Sequence, residues 1–201
     1  ATTTDWFILV DGDEIWWEDS IKKVVETLNA KGDKIESIVV PSFNLVGDIY
    51  HYQEEAAGQY ELAGRNGHLN IRAINRKIPG LQAIKPHGLQ GWADEAGRLI
   101  QDRDQKRITF VEASYLHATH LPRAGKFEKE FDVPKRAKKL KYEIGTPFPA
   151  DFYYPEVFFR PRPPTVPSPW VKMELGFKLK AGIQTPFKKI KRRVLPPKVG
   201  Y

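Results

Sequence analysis

The sequence of 201 residues contains no cysteine, and this absence excludes disulfide bonds, thiol nucleophiles and zinc–thiolate sites. It also lacks any apolar run near the ~20 residues that span a bilayer, and no secretory signal peptide opens the chain. We therefore expect a cytoplasmic protein. A third absence concerns charge, because residues 175–201 contain eight Lys or Arg and no Asp or Glu.

The net charge of +7 belongs to this basic tail (residues 175–201). Without the tail, the chain has 24 basic and 25 acidic residues, so a nucleic-acid-binding body is not expected. In the tail, cations alternate with bulky apolar residues, which predicts contact with an anionic membrane surface. The alternative is a solvated tail, in which Gly182 and Pro186 keep any helix short.

An apolar run, residues 6–10, ends abruptly in Asp11-Gly12-Asp13-Glu14. Such a run predicts a strand buried on both faces of a parallel sheet, with upstream elements to cover it. The acids would then lie at the carboxyl end of the strand, where open α/β sheets bind ligands. Asp11 and Asp13 are candidate ligands for Mg²⁺ or Mn²⁺, completed by a bound diphosphate. The alternative is a solvated acidic turn that only precedes a helix.

The following residues continue an α/β pattern. Residues 18–32 predict an amphipathic helix that stops at Gly32, and residues 35–40 predict a strand that Pro41 closes. Further strands are predicted over 69–76 and 108–116, and a charged, helical segment over 127–142. Eleven of the sixteen prolines follow residue 146, which predicts an extended segment with aromatic anchors after a boundary near Gly145.

Three further groups of residues could carry chemistry. His117 and His120 end the late strand and could complete a metal site, or form a surface pair. Arg123 suits a phosphate, and so do Arg72 and Arg76, unless these arginines are solvated. Residues 91–95 form a glycine-flanked loop in which Asp94 or Glu95 is a candidate general base and Trp92 could stack on a sugar or a nucleotide base. The alternative is an exposed loop or a helix start.

The order of these elements resembles the family 2 glycosyltransferases of GT-A fold. The apolar strand ends in Asp-x-Asp-Glu, and residues 5–14 fit the DWxxxxDxDE context of bacterial members. An Arg-x-x-x-Arg strand, a glycine-rich loop ending in an acid, and a strand ending in Tyr-x-His with an arginine downstream follow in the same order. The resemblance covers residues 4–123 approximately.

The resemblance implies a metal-dependent, inverting transfer of a sugar from a nucleotide sugar to a hydroxyl of a glycan or lipid-linked saccharide. Asp13 would bind Mn²⁺ or Mg²⁺, and Asp11 would lie near the ribose or the metal. Glu95, or failing it Asp94, would deprotonate the acceptor. His117 matches the family histidine slightly better than His120.

The resemblance also predicts how the chain is divided. Members begin with a nucleotide-binding β-α-β half about a hundred residues upstream of the motif, and the sequence does not contain it. We therefore expect a partial GT-A fold of α/β class with a mixed sheet. Residues 1–145 would form the acceptor side of the catalytic domain, 146–174 a Pro- and aromatic-rich extension, and 175–201 the basic tail.

Two other functions fit parts of the pattern. A Mg²⁺-dependent phosphohydrolase of haloacid dehalogenase type also has Asp-x-Asp after an apolar strand. That family has Thr or Val two residues after the second Asp, where Ile15 stands here. A non-catalytic module that binds membranes or RNA through the basic tail is the other alternative, which the balanced charge of the body disfavours.

Overall fold

The computed structural model describes residues 3–58, 60–85, 91–121 and 140–194. Within these ranges the chain is mixed α/β, with helices α1 (Glu18–Lys31) and α2 (Leu175–Val194). Its strands are β1 (Trp6–Ile8), β2 (Glu14–Trp16), β3 (Ser37–Val46), β4 (His51–Tyr52), β5 (Tyr60–Leu62), β6 (Arg65–Gly67), β7 (Leu69–Asn75), β8 (Gln82–Ile84), β9 (Gly91–Ala93), β10 (Ile108–Phe110), β11 (Tyr115–His120) and β12 (Thr146–Pro147).

Strand β3 organises the main sheet. On one side it pairs antiparallel with β7, which in turn pairs antiparallel with β1. On the other side it pairs in parallel first with β10 and then with β11. Strand β2 continues the sheet antiparallel to β11. The sheet is therefore mixed, and the predicted mixed α/β class is confirmed.

The prediction that residues 6–10 form a strand of a parallel sheet was wrong. Strand β1 has three residues, all half-buried, and it pairs antiparallel with β7. Val10 lies beyond it and is 57% exposed. The run is apolar because β1 contacts two clusters: Phe7 packs against one, while Trp6 and Ile8 pack against the other.

Strand β3 does not end at Pro41 as predicted but continues to Val46. On the β7 side of Pro41, the Ser42 amide donates to the His68 carbonyl at 2.9 Å. The Pro41 nitrogen therefore points to the opposite side, because neighbouring amides along a strand alternate in direction. There it faces residues 111–114, which separate β10 from β11 and are not in a strand. The missing N–H thus breaks no ladder bond.

Helix α1 is confirmed and ends at Gly32. Its buried side includes Val24, whereas the neighbouring Val25 is 42% exposed. Strand β7 is confirmed, and the single strand predicted over residues 108–116 is split into β10 and β11. Of the helix predicted over 127–142, residues 127–139 lie outside the described residues.

Residues 146–174 pack onto the sheet through aromatic side chains. Leu45 of β3 and Leu116 of β11 form a buried cluster with aromatic residues of this extension: Phe148, Phe152, Tyr154, Phe158 and Trp170. Helix α2 follows and runs through Gly182 and Pro186, so the expectation of a short helix was wrong. Neither helix in the described ranges is long and apolar enough to cross a membrane.

Candidate active site around Asp13 and His117

The pairing of β2 with β11 brings Asp13 beside His117. Glu14 stands opposite His117 in the antiparallel register, and the Ala118 amide donates to the Asp13 carbonyl at 2.8 Å. As a result, Asp13 Oδ1 lies 3.6 Å from His117 Nε2, with both side chains partly exposed. The structure therefore joins two of the residues that the sequence predicted as metal ligands.

Two side chains, His68 and Asn44, fix the orientation of His117, beginning with the buried His68. His68 Nε2 lies 3.1 Å from the Glu54 carbonyl, which can only accept a hydrogen bond. Burial lowers the pKa of His68, so this ring is neutral and carries its single proton on Nε2. His68 Nδ1 therefore accepts from Asn44 Nδ2, at 2.9 Å.

The same series of hydrogen bonds then determines the tautomer of His117. With its amide nitrogen on His68, Asn44 presents Oδ1 to His117 Nδ1 at 3.2 Å. Nδ1 must carry the proton, because an amide oxygen only accepts. In neutral His117 the lone pair is consequently on Nε2, directed toward the side of the ring where Asp13 lies.

Two acceptor atoms 3.6 Å apart suit a shared cation. A divalent ion held at about 2.1 Å from each would separate its ligand atoms by about 3.0 to 3.4 Å. Histidine ligands commonly donate their other ring N–H to an oxygen, as His117 does to Asn44. In the described ranges, no group of three or more His, Asp or Glu side chains is arranged around such a point. Mg²⁺ in nucleotide sites takes one or two carboxylates and completes its shell with phosphate oxygens and water.

Arg72 holds the acidic turn from the other side. Its guanidinium forms an ion pair with Glu14 and donates to Asp11 Oδ2 at 3.3 Å. It also donates to the Tyr115 hydroxyl oxygen, which in addition receives a bond of 2.8 Å from Asn70. Arg72 therefore connects the acidic turn with β7 and β11.

Glu14, which the sequence places with Asp11 and Asp13 among the acids after the apolar run, has a fully buried side chain. Its Oε2 accepts from the Trp16 indole at 3.1 Å. Burial raises the pKa of Glu14, and the nearby Arg72 only partly opposes this. Glu14 is therefore part of the support beneath the site, whereas Asp11 (61% exposed) and Asp13 (26% exposed) face outward.

The two strand arginines are not brought together. Arg72 is at the acidic end of β1, whereas Arg76 is exposed at the other end and donates to the Thr4 carbonyl at 2.8 Å. The two positions are four steps apart along an extended chain, which separates them by about 13 Å. A joint phosphate clamp of Arg72 and Arg76 is therefore not formed.

Residues 91–95, which the sequence predicts to supply a general base, have different environments. Asp94 is buried and its carboxylate binds Arg103, Arg98 and the amides of residues 96 and 98. Glu95 is exposed. Trp92 is half-buried and packs on Phe7 of β1, with ring centroids 5.0 Å apart. Only Glu95 of the two acids thus has its carboxylate open to solvent.

The remaining predicted residues lie further along the chain. His120 pairs with Val46 at the far end of β11, beyond a register shift after His117. Arg123 lies outside the described residues. The sequence did not reveal Asn44 or His68 as part of the site. A signal was present nonetheless, because Ser42 and Asn44 are alternate polar residues in a strand that is apolar at all its remaining positions after Ser37.

The tautomer of His117 can be measured directly. We expect the ¹⁵N spectrum of the neutral ring to show protonated Nδ1 and unprotonated Nε2. Replacing Asn44 with alanine removes the acceptor of Nδ1, so the proton should move largely to Nε2. His51, whose Nδ1 lies 2.6 Å from Asp48 Oδ1, is an internal control that should not change. A protonated Nε2 in the unsubstituted neutral protein would contradict the assignment.

No protein-family model, no curated protein and no solved structure matches this chain.

Proposed function

We propose that this chain is the acceptor-side part of a divalent-metal-dependent, inverting glycosyltransferase of GT-A type. The reaction would transfer a sugar from a nucleotide sugar to a hydroxyl of a glycan or lipid-linked saccharide, at the inner face of the cell membrane. The observation that carries the proposal is the pair formed by Asp13 Oδ1 and His117 Nε2, at 3.6 Å, with the other ring nitrogen bound to Asn44.

Asp13 and His117 would hold Mn²⁺ or Mg²⁺, with Asp11 beside them. When bound, the metal supplies positive charge that offsets the charge developing on the leaving diphosphate. Arg72 acts as a positioning residue, because its guanidinium is already bound to Asp11 and Glu14. The nucleotide-binding half would be supplied by a segment not included in this sequence.

Glu95 is the proposed general base. Inverting transfer requires a carboxylate that removes the proton of the acceptor hydroxyl while the sugar is attacked from the opposite side. Glu95 is exposed and follows β9, and its amide donates to the Pro79 carbonyl at 2.9 Å, three residues after Arg76. This is the end of β7 opposite the acidic turn, so the role of Glu95 is proposed from the resemblance. Asp94 is excluded from this role in our proposal because Arg103 and Arg98 occupy its carboxylate.

The test is thermal unfolding with Mn²⁺ and UDP-, GDP- or TDP-sugars, on this chain and on a form that includes the preceding segment. A ligand at a hundred times its Kd stabilises a protein by about 2.7 kcal/mol, which corresponds to a rise in Tm of roughly 5 °C or more. We expect that rise for the longer form with one of the donors. Asp13→Asn and His117→Gln should abolish it.

Asp19→Asn is the matched control, because Asp19 is a surface carboxylate that forms an ion pair with Lys22. This variant should keep the full rise in Tm. Absence of any rise in the longer form, or a rise that Asp13→Asn leaves intact, would contradict the proposal.

A further inference from the structure

Helix α2 carries only positive charges. Between Leu175 and Val194 there are seven Lys or Arg and no Asp or Glu. The helix is nevertheless not a uniformly solvated one, because its sides differ sharply in burial. The distribution of charge and burial around the helix indicates what it contacts.

One side of α2, its inner face, is attached to the body. Ala181 and Thr185 are buried, and the Thr185 hydroxyl accepts from the Ile144 amide at 2.8 Å. Further along this side, Arg192 donates to both oxygens of the buried Glu143, at 2.5 and 2.7 Å. Burial would raise the pKa of Glu143, but the bonds from Arg192 outweigh it and lower the pKa. The inner face is therefore fixed at two points.

The opposite side, the outer face, is an apolar stripe. Its six large side chains are between 59% and 73% exposed: Leu175, Leu179, Ile183, Phe187, Ile190 and Val194. At 3.6 residues per turn these positions span an arc of about 120°, centred opposite the inner face. A contiguous exposed stripe of this kind indicates a surface that contacts an apolar phase or partner.

Exposed cations border this stripe on both sides. Lys178, Lys189 and Arg193 lie along one border, and Lys180 and Lys191 along the other. Long basic side chains at such borders place their stems on the apolar phase and their charges at its polar boundary. This is the arrangement of a helix lying in the plane of a bilayer surface that contains anionic lipids.

We propose that the outer face of α2 is a docking surface for an anionic lipid bilayer, with the helix lying in the membrane plane. A second copy of the chain is a poor occupant, because it would bring two wholly cationic helices together. The bilayer supplies both the apolar phase that the stripe needs and the negative charge that its borders need. The proposed function places the reaction at a membrane, and this inference adds which surface of the protein binds and which lipid charge it requires. It does not depend on sugar transfer.

The first test is co-sedimentation of the whole chain with vesicles, without any donor or metal. Vesicles of phosphatidylcholine with about 30% phosphatidylglycerol should bind the protein, and pure phosphatidylcholine should bind it at least tenfold more weakly. Each cation near the surface is worth roughly a fivefold change in partitioning, so Lys178→Gln with Lys191→Gln should weaken binding more than tenfold. Ile183→Asp with Phe187→Asp should abolish it.

The second test uses the absence of cysteine, which allows a single labelled site. An environment-sensitive dye on Ile183→Cys should shift to the blue when anionic vesicles are added. The same dye on Val166→Cys, an exposed position in the extension, should not shift. Outcomes that would overturn the proposal are equal shifts at both sites, vesicle binding that survives Ile183→Asp with Phe187→Asp, or a dimer in vesicle-free solution that this pair of substitutions dissolves. The dye readout stands even if the aspartate variants misfold.

Discussion

Replacing Arg72 with methionine is expected to lower the free energy of unfolding by about 3 to 5 kcal/mol. The reason is that Glu14, whose side chain is fully buried, would lose the guanidinium that pairs with it. Tyr115 would lose two of the donors to its oxygen at the same time. For a chain of this length the loss corresponds to a fall in Tm of roughly 10 °C. Chemical denaturation and calorimetry measure it.

Arg76→Met is the matched control, since it makes the same change on the next arginine of the same segment. Arg76 is exposed, and its loss should cost about 0.5 kcal/mol or less. Adding Glu14→Gln to Arg72→Met should recover most of the stability, because the unpaired buried charge is then removed. If the double variant is no more stable than Arg72→Met alone, the loss of the Arg72–Glu14 ion pair is not the cause of the destabilisation.

The pH dependence of this variant has a definite sign. Burial already raises the pKa of Glu14 above its ordinary value of 4.5. A carboxyl with a raised folded-state pKa binds its proton more tightly in the native state, so its contribution to stability falls as pH rises past 4.5. Without Arg72 this fall should be steeper. The difference between Arg72→Met and the unsubstituted protein should therefore be small in acid and grow toward neutral pH.

The second large effect is expected from Arg103→Met, which should cost about 3 kcal/mol. Arg103 donates to both oxygens of Glu36, at 2.8 and 2.9 Å, and also binds Asp94. Removing it leaves two buried carboxylates that repel each other, and the positive charges that still pair with them are the more exposed Arg98 and Arg107. Arg98→Met, at a position 57% exposed, is the control and should cost little.

The bonds from Arg103 lower the pKa of Glu36, so the sign here is opposite to that of Glu14. Glu36 stabilises the fold above its ordinary pKa of 4.5, and this contribution is lost as pH falls through the lowered folded-state value. The unsubstituted protein and Arg103→Met should therefore converge in acid. If the difference in free energy of unfolding between the unsubstituted protein and Arg103→Met stays constant down to pH 3, this explanation is contradicted.

The ion pair with Arg103 also distinguishes the two candidate bases, Asp94 and Glu95. Asp94→Asn should lower the Tm, because an amide cannot replace the carboxylate that binds Arg103 and two backbone amides. Glu95→Gln makes the same chemical change one residue later on an exposed side chain and should leave the Tm unchanged. If transfer occurs as proposed, only Glu95→Gln should stop turnover in a protein of normal stability.

Local periodicity predicted the elements whose neighbours are close in sequence. Helix α1 with its end at Gly32, and strand β7, follow from the spacing of apolar residues. The burial of β1 could not be predicted in the same way, because an apolar run does not distinguish a central strand from an outer one covered on both faces. Pro41 was misleading for a related reason: its missing N–H is harmless only because residues 111–114 leave the sheet beside it.

The candidate site was predictable as a set of residue types but not as a geometry. The acidic turn and the late histidines stood out in the sequence, yet the choice of His117 over His120 depends on the register of β11 against β2. Asn44 and His68 act through hydrogen bonds across 73 and 24 residues of chain, respectively, which local spacing does not encode. The role of Asp94 likewise depended on Arg103, nine residues away in a different turn.

The attachment of α2 has a mechanical consequence. Thr185 and Arg192 attach the inner face to the body at two points, so the helix is held in one orientation relative to the body and is not a flexible tether. A body mounted in this way could not tumble on a membrane, and its acidic turn would stay at one height and one angle above the lipid headgroups. In the proposed reaction, acceptors attached to the membrane at that height would contact the acidic turn repeatedly. Acceptors in free solution would not benefit from the attachment of α2.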